Sequence, residues 1–143
     1  LMLGYLNLPE QTGDALQGSW LCTGDAGYFT DDGYLFVVDR IKDMIVTGGE
    51  NVYSVEVESV IYQIEGVDQC AIVGLPDDKW GESVHAEVVL KAGFSLTEDE
   101  LIAHCRDYLA GYKLPRSVAL VDALPLTAVG KVDKVAIRDK HHG

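Results

Sequence analysis

Ser54-Val55-Glu56-Val57-Glu58-Ser59-Val60-Ile61-Tyr62-Gln63-Ile64-Glu65-Gly66 and, three residues on, Cys70-Ala71-Ile72-Val73-Gly74-Leu75 are the segments on which the fold turns. In the first, Val57, Val60, Ile61 and Ile64 fall at the 0, 3, 4, 7 spacing of one buried helix face. Ser54 is suited to cap that helix, Glu56 and Glu58 suit its positive end, and Gly66 ends it. The second segment is a continuous apolar run, the pattern of a strand covered on both faces. A helix leading into a doubly covered strand calls for a sheet with helices packed against it.

Working outward, Ser83–Leu90 reads as another strand, with Ala86, Val88 and Leu90 on one side. Thr97-Glu98-Asp99-Glu100 is a capping box, and Leu101, Ile102, Cys105, Tyr108 and Leu109 form the apolar stripe behind it. Ser117–Val121 reads as a third strand and Val132–Asp139 as a closing helix. Upstream, Met44–Thr47 is a short β-rich run ending on Gly48-Gly49. From residue 43 onward the predicted order is strand, helix, strand, strand, helix, strand, helix. The fold class is therefore α+β, a small mixed sheet flanked by helices. Residues 1–18 read as loop with one short helix, followed by strands over Ser19–Cys22 and Gly33–Arg40, the latter opened by an Asp31-Asp32-Gly33 turn. No repeat or low-complexity segment interrupts this order.

Composition narrows the function. The hydrophobic fraction of 48% and charged fraction of 24% are those of a globular chain with a real core. Acids outnumber bases 23 to 11, a formal charge of −12, so no basic face is available for a phosphate backbone and no nucleic-acid partner is expected. No apolar run approaches the ~20 residues of a membrane helix. Three cysteines, Cys22, Cys70 and Cys105, are an odd number in apolar settings; packed thiols in a reducing, cytoplasmic compartment are expected. The histidines His85, His104, His141 and His142 lack metal-ligand spacing, so no metal ligand is assigned. The chain opens inside an apolar stretch, Leu1-Met2-Leu3-Gly4-Tyr5, and reads as a fragment of a longer protein.

Four glycine-marked segments do not look like plain connectors: Thr23-Gly24-Asp25; Asp39-Arg40-Ile41-Lys42-Asp43-Met44-Ile45 running into Gly48-Gly49-Glu50-Asn51-Val52-Tyr53; Lys79-Trp80-Gly81-Glu82; and Pro125-Leu126-Thr127-Ala128-Val129-Gly130-Lys131-Val132-Asp133-Lys134. Each has a bland reading beside a chemical one. Asp25 is either a turn-stabilising carboxylate or an acceptor for the paired hydroxyls of a ribose. Arg40 either pairs with Asp39 or Asp43, or offers its planar fork to a phosphate. Gly48 and Gly49 form an ordinary turn or let the backbone approach a ligand. Trp80 anchors the core or walls a ligand channel. Lys131 is an exposed lysine or a compact cation aimed at developing phosphate charge.

Together, in this order and at these separations, the four segments resemble the C-terminal part of the adenylate-forming superfamily of acyl-CoA synthetases, adenylation domains and luciferases, across essentially the whole chain. The Gly48–Tyr53 stretch is most similar to acyl- and aryl-CoA ligases. The resemblance implies that residues 1–39 end a large nucleotide-binding domain, that 40–42 form a hinge, and that 43–143 form a C-terminal lid. It implies ATP and CoA as co-substrates, a small-molecule carboxylic acid as substrate, Mg²⁺ with its ligand outside this chain, and an N-terminal large domain as the missing partner. By the same resemblance, Asp25 and Arg40 bind the ATP or AMP, Lys131 binds it and is catalytic, and Lys42 is the hinge residue. Gly48, Gly49, Trp80, Tyr112 and Arg116 meet CoA. Two departures stand out: Ser54 replaces a common proline, and Leu114 a common basic residue.

The expected activity is an ATP-dependent acyl-CoA ligase of the kind used in fatty acid metabolism, with this fragment inactive alone. Two other readings remain: an adenylation enzyme that loads a carrier protein, and a non-catalytic binding module that keeps the lid fold.

Overall fold

The computed structural model of the chain describes residues 2–141, which fall into two units, Leu1–Lys42 and Asp43–Gly143. In the first, Pro9 at the first helical position starts α1 (Pro9–Ala15), the short helix expected there. β1 (Leu16–Gln17) and β2 (Trp20–Leu21) form a small antiparallel pair. β3 (Asp25–Phe29) and β4 (Leu35–Arg40) form a second one. The turn between them closes where expected: the Gly33 N–H donates to the Thr30 carbonyl and the Thr30 N–H to the Tyr34 carbonyl. β3 itself was not expected. Its alternation is broken at Gly27, where the pairing shifts register and the Phe36 carbonyl would stand 2.6 Å from an added Cβ. No apolar side chain of this unit is buried among the described residues.

A 3₁₀ turn over Ile41–Asp43 leads into the second unit. There β5 (Ile45–Thr47) and β6 (Glu50–Val52) form a hairpin, followed by α2 (Ser54–Ile61), β7 (Val67–Asp77) and β8 (Gly81–Leu90). Then come α3 (Glu98–Arg106), β9 (Ser117–Leu120) and α4 (Lys134–Lys140). β7 and β8 pair antiparallel along almost their whole length. On the other edge of β8, Thr47 of β5 pairs with Gly81, while β9 runs parallel to His85–Val88. The sheet is thus mixed and five-stranded, as the predicted α+β class requires.

The alternation of β8 sorts two layers of core. Val84, Ala86 and Val88 face α2 and α3 and pack with Ile72, Val57, Ile61, Leu101 and Cys105. Ala71 and Val73 belong to the opposite face, where they meet Leu124 and Ile137 of α4. That two-sided cover explains the unbroken apolar run in β7. Thr97 and Glu100 form the expected capping box at α3.

Several boundaries move for local reasons. α2 is capped at Tyr53, and Ser54 is the first helical residue, fully buried with its hydroxyl accepting from the Lys134 ammonium at 2.6 Å. That helix ends at Ile61; tighter turns then carry Ile64 to the core. β6 was missed because Glu-Asn-Val is a poor strand former, held only by its partner. α4 starts at Lys134 because the Asp133 carboxylate accepts from the Val135 and Ala136 N–H groups. Tyr108 leaves the expected stripe and is 61% exposed. Cys22, expected to be packed, is exposed, since nothing in the first unit is deep enough to cover it. Among the described residues, no helix is long and apolar enough to cross a membrane.

Candidate functional site

Within the first unit, the β3–β4 register sets Asp25 directly opposite Arg40. Their side chains meet, Arg40 Nε lying 2.8 Å from Asp25 Oδ1, and Arg40 Nη1 donates to the Thr23 carbonyl at 3.3 Å. The Arg40 side chain thus pairs with Asp25 and not with Asp39 or Asp43. Asp39 accepts from the Arg40 backbone N–H, and Asp43 pairs with Arg138. Gly24, at φ 74°, makes the turn that starts β3. A carboxylate and a guanidinium held side by side, both reached by solvent, present an acceptor and a donor fork to one polar ligand. Lys42 is exposed within the 3₁₀ turn.

In the second unit, Gly48 and Gly49, at φ 60° and 87°, form the two-residue turn between β5 and β6. Positive φ at both positions is the hairpin turn whose twist suits the flanking strands. The turn rests on Trp80: the Gly48 N–H donates to the Trp80 carbonyl at 2.8 Å, and a Cβ on Gly48 would stand 2.8 Å from the indole ring. Trp80 is itself set by an Asx turn, with Asp77 Oδ1 accepting from the Lys79 and Trp80 N–H groups. The Arg116 guanidinium lies 4.8 Å and the Lys79 ammonium 4.7 Å from the ring centroid. Gly48, Trp80 and Arg116 are thus brought together from three separate segments into a cationic, aromatic surface. Tyr112, 40% exposed, instead neighbours Lys113, whose ammonium pairs with Glu56 at 2.6 Å. That carboxylate raises the Lys113 pKa.

Lys131 stands on its own loop. The Leu126–Val132 bridge closes that loop, the Thr127 N–H donates to the Lys131 carbonyl, and the Lys131 N–H to Thr127 Oγ1. Lys131 is exposed, and its ammonium has no hydrogen-bond or ion-pair partner among the described residues. The following lysine differs: Lys134 is spent on Ser54 and on Glu58, 2.8 Å away. A backbone pinned on both sides of a free cation is how a fold presents a charge to something outside itself.

Sequence reasoning missed one constellation altogether. His85, Glu87 and His141 bring their donor atoms within 4.8 Å of one another. Two of them share a face of β8, but the third comes from 54 positions past Glu87, so no spacing rule could join them.

With this geometry in place, residues 56–131 match the AMP-binding enzyme C-terminal domain, and the chain belongs to that family. It is 44% identical over 141 residues to the long-chain-fatty-acid–CoA ligase FadD13 of Mycobacterium tuberculosis, covering 99% of this chain and 28% of the relative. It is 47% identical over 138 residues to a feruloyl-CoA synthase of Amycolatopsis, covering 96% of this chain and 28% of the relative. Among solved structures, the o-succinylbenzoate CoA synthetase of Bacillus subtilis, in complex with an acyl-adenylate intermediate, superposes with a TM-score of 0.88 at 36% identity. That match covers 100% of this chain and 28% of the other. The chain therefore spans about 28% of the length of these relatives.

Proposed function

We propose that this chain supplies the end of the nucleotide-binding domain (1–39), the hinge (40–42) and the lid (43–143) of an ATP-dependent acyl-CoA ligase. In the first half-reaction a carboxylate attacks the α-phosphate of ATP, giving an acyl-adenylate and releasing pyrophosphate. In the second, the CoA thiol attacks the acyl carbon, giving the thioester and releasing AMP. Mg²⁺ that accompanies ATP is assigned no ligand among residues 1–143.

Lys131 carries this reading. An exposed ammonium on a backbone-braced loop, without a partner among the described residues, can neutralise charge that grows on the α-phosphate during attack. Asp25 accepts from the ribose hydroxyls, and Arg40, already 2.8 Å from it, turns its remaining donors to the nucleotide. Lys42 is the position at which the lid pivots between the two reactions. After the pivot the Gly48-Gly49 turn meets the pantetheine arm, for which the lack of side chains leaves room, and Trp80 walls it. Arg116 suits the CoA phosphates, and Tyr112 suits stacking on its adenine. The relatives' names support the acid–thiol ligase class, and the three free cysteines support work in a reducing cytoplasm.

The test uses the whole protein that carries this chain. Lys131→Ala should slow adenylate formation by about 10²-fold, the scale of losing one preorganised electrostatic partner. Thioester formation from supplied acyl-adenylate should stay near normal. Equal loss in both steps would remove Lys131 from its role. Acyl transfer to a carrier protein but not to free CoA would turn the assignment to a carrier-loading enzyme.

A further inference from the structure

The face of β8 that looks toward α4 carries His85 and Glu87, two positions apart and therefore on the same side of the strand. His85 is 3% exposed and Glu87 1% exposed, in a layer otherwise built from Ala71, Val73 and Ile137. α4 ends above them, and its C-cap residue His141 turns its ring back onto the sheet. The two imidazoles lie 4.5 Å apart between centroids, and His141 Nε2 is 3.3 Å from Glu87 Oε1.

One atom in this cluster is unexplained. His85 Nδ1 is 2.7 Å from Ser117 Oγ on β9, which orients the ring, but His85 Nε2 has no hydrogen-bond partner. It is the buried side-chain polar atom left unsatisfied among the described residues. Such an orphan carries a desolvation cost and points to something that occupies the position. In the tautomer where Nδ1–H donates to Ser117, Nε2 carries the free lone pair, the form in which an imidazole binds a metal.

The geometry points to a Zn²⁺ site formed by His85 Nε2, Glu87 and His141, which ties the end of α4 to the sheet. Two imidazoles and one carboxylate are borderline nitrogen and oxygen donors that suit zinc, with the fourth position left to water. Donors bound at about 2.0–2.1 Å around a tetrahedral ion lie about 3.3 Å apart. The Glu87–His141 pair is already at 3.3 Å, and the full set, within 4.8 Å, needs only side-chain closure.

Burial and the neighbouring His141 lower the His85 pKa. Burial pushes the Glu87 carboxyl up, but hydrogen bonds from Lys140 and His141 outweigh it and hold the pKa below its ordinary value. Glu87 is therefore a carboxylate. The competing cation is Lys140, with Nζ 2.9 Å from Glu87 Oε1 and a side chain 58% exposed, so it can withdraw into solvent as the metal arrives. α4 follows directly on the loop of Lys131, so zinc would stiffen the helix that anchors that loop from behind.

The 143-residue chain, stripped with chelator, tests this by competition against a chromogenic zinc indicator and by Co²⁺ substitution. One equivalent of Zn²⁺ should bind at about micromolar affinity or better, and Co²⁺ should give the visible bands of a tetrahedral site. His141→Ala should weaken binding about tenfold or more, and so should His85→Asn, whose amide can keep the Ser117 contact. Lys140→Ala should tighten it, because it removes the competitor. His142→Ala should leave it unchanged. Should His85→Asn fail to fold, the imidazole nitrogen resonances of the unaltered chain replace it, and His85 Nε2 should shift on titration with zinc. No binding at about 100 µM Zn²⁺, or a His85 signal that ignores the metal, overturns the proposal. So does binding that survives loss of His85 but not of His142.

Discussion

The two units spend their apolar residues in opposite ways. In Asp43–Gly143 they close two core layers, and Ile72, Val73, Ala86 and Val88 are fully buried. In Leu1–Lys42 the same kinds of residue face solvent: Leu35, Phe36 and Val37 of β4 are 58%, 51% and 64% exposed. Short two-stranded pairs bury too little to offset the entropy of ordering them. The second unit thus closes a core of its own, whereas the first leaves the apolar side chains of its strands in solvent. This contrast supports, for the first unit, its proposed place at the end of a bigger domain.

The sharpest way to break the contrast is to separate the halves. Residues 43–143 alone should unfold in one cooperative transition by heat or urea, and residues 1–42 alone should show none. A cooperative transition in the shorter piece would end the comparison. Next in size is thiol reactivity. Cys22 should react with a disulfide reagent as an exposed thiol does, while Cys70 and Cys105 react about 10³-fold or more slowly. Burial raises the pKa of these two thiols to about 12 and about 11, so they offer almost no thiolate until the core opens. Three thiols reacting at one rate would contradict the packing.

Core deletions give a smaller, graded test. Leu101→Ala, at a fully buried position of α3, should cost about 2–5 kcal/mol in a urea titration of the chain. Phe36→Ala should cost less than about 1 kcal/mol, although its ring stacks on Tyr28 at 5.6 Å. Similar losses at the two positions would mean that the first unit is more firmly built than its exposure implies. A cap deletion adds a pH-dependent test at α3, where Thr97→Ala should cost about 1 kcal/mol at neutral pH. Hydrogen bonds from Thr97 hold the Glu100 carboxyl below its usual 4.5. A depressed carboxyl adds stability above its unfolded pKa and loses it as pH falls through the folded value. The Thr97→Ala penalty should therefore shrink below about pH 4.5, read by melts across an acid series.

Legibility followed the same division. The capping box of Thr97 and Glu100, the doubly covered run in β7 and the helical face of Val57, Val60 and Ile61 are local patterns, and local patterns can be read without a structure. β3 and β6 escaped because Gly27 interrupts one and Glu-Asn-Val fills the other; both exist through their partners rather than their propensity. For the candidate site, glycine-marked segments pointed to Asp25, Arg40, Trp80 and Lys131 one at a time. The pairing of Asp25 with Arg40, and the seating of Gly48 on Trp80, needed the fold, since both span many residues of chain. The His85–Glu87–His141 cluster was invisible for the same reason: its third member arrives only after the chain has crossed β9 and α4.

The chain contains two tryptophans, and each unit holds one. Trp20 is 78% exposed on a bare two-stranded pair, whereas Trp80 is half-buried beneath a glycine turn and beside two cations. Their fluorescence will therefore differ in colour and in quenching. A variant that keeps either indole alone becomes an optical gauge of its own half, so the melting of one part can be followed while the other stays silent.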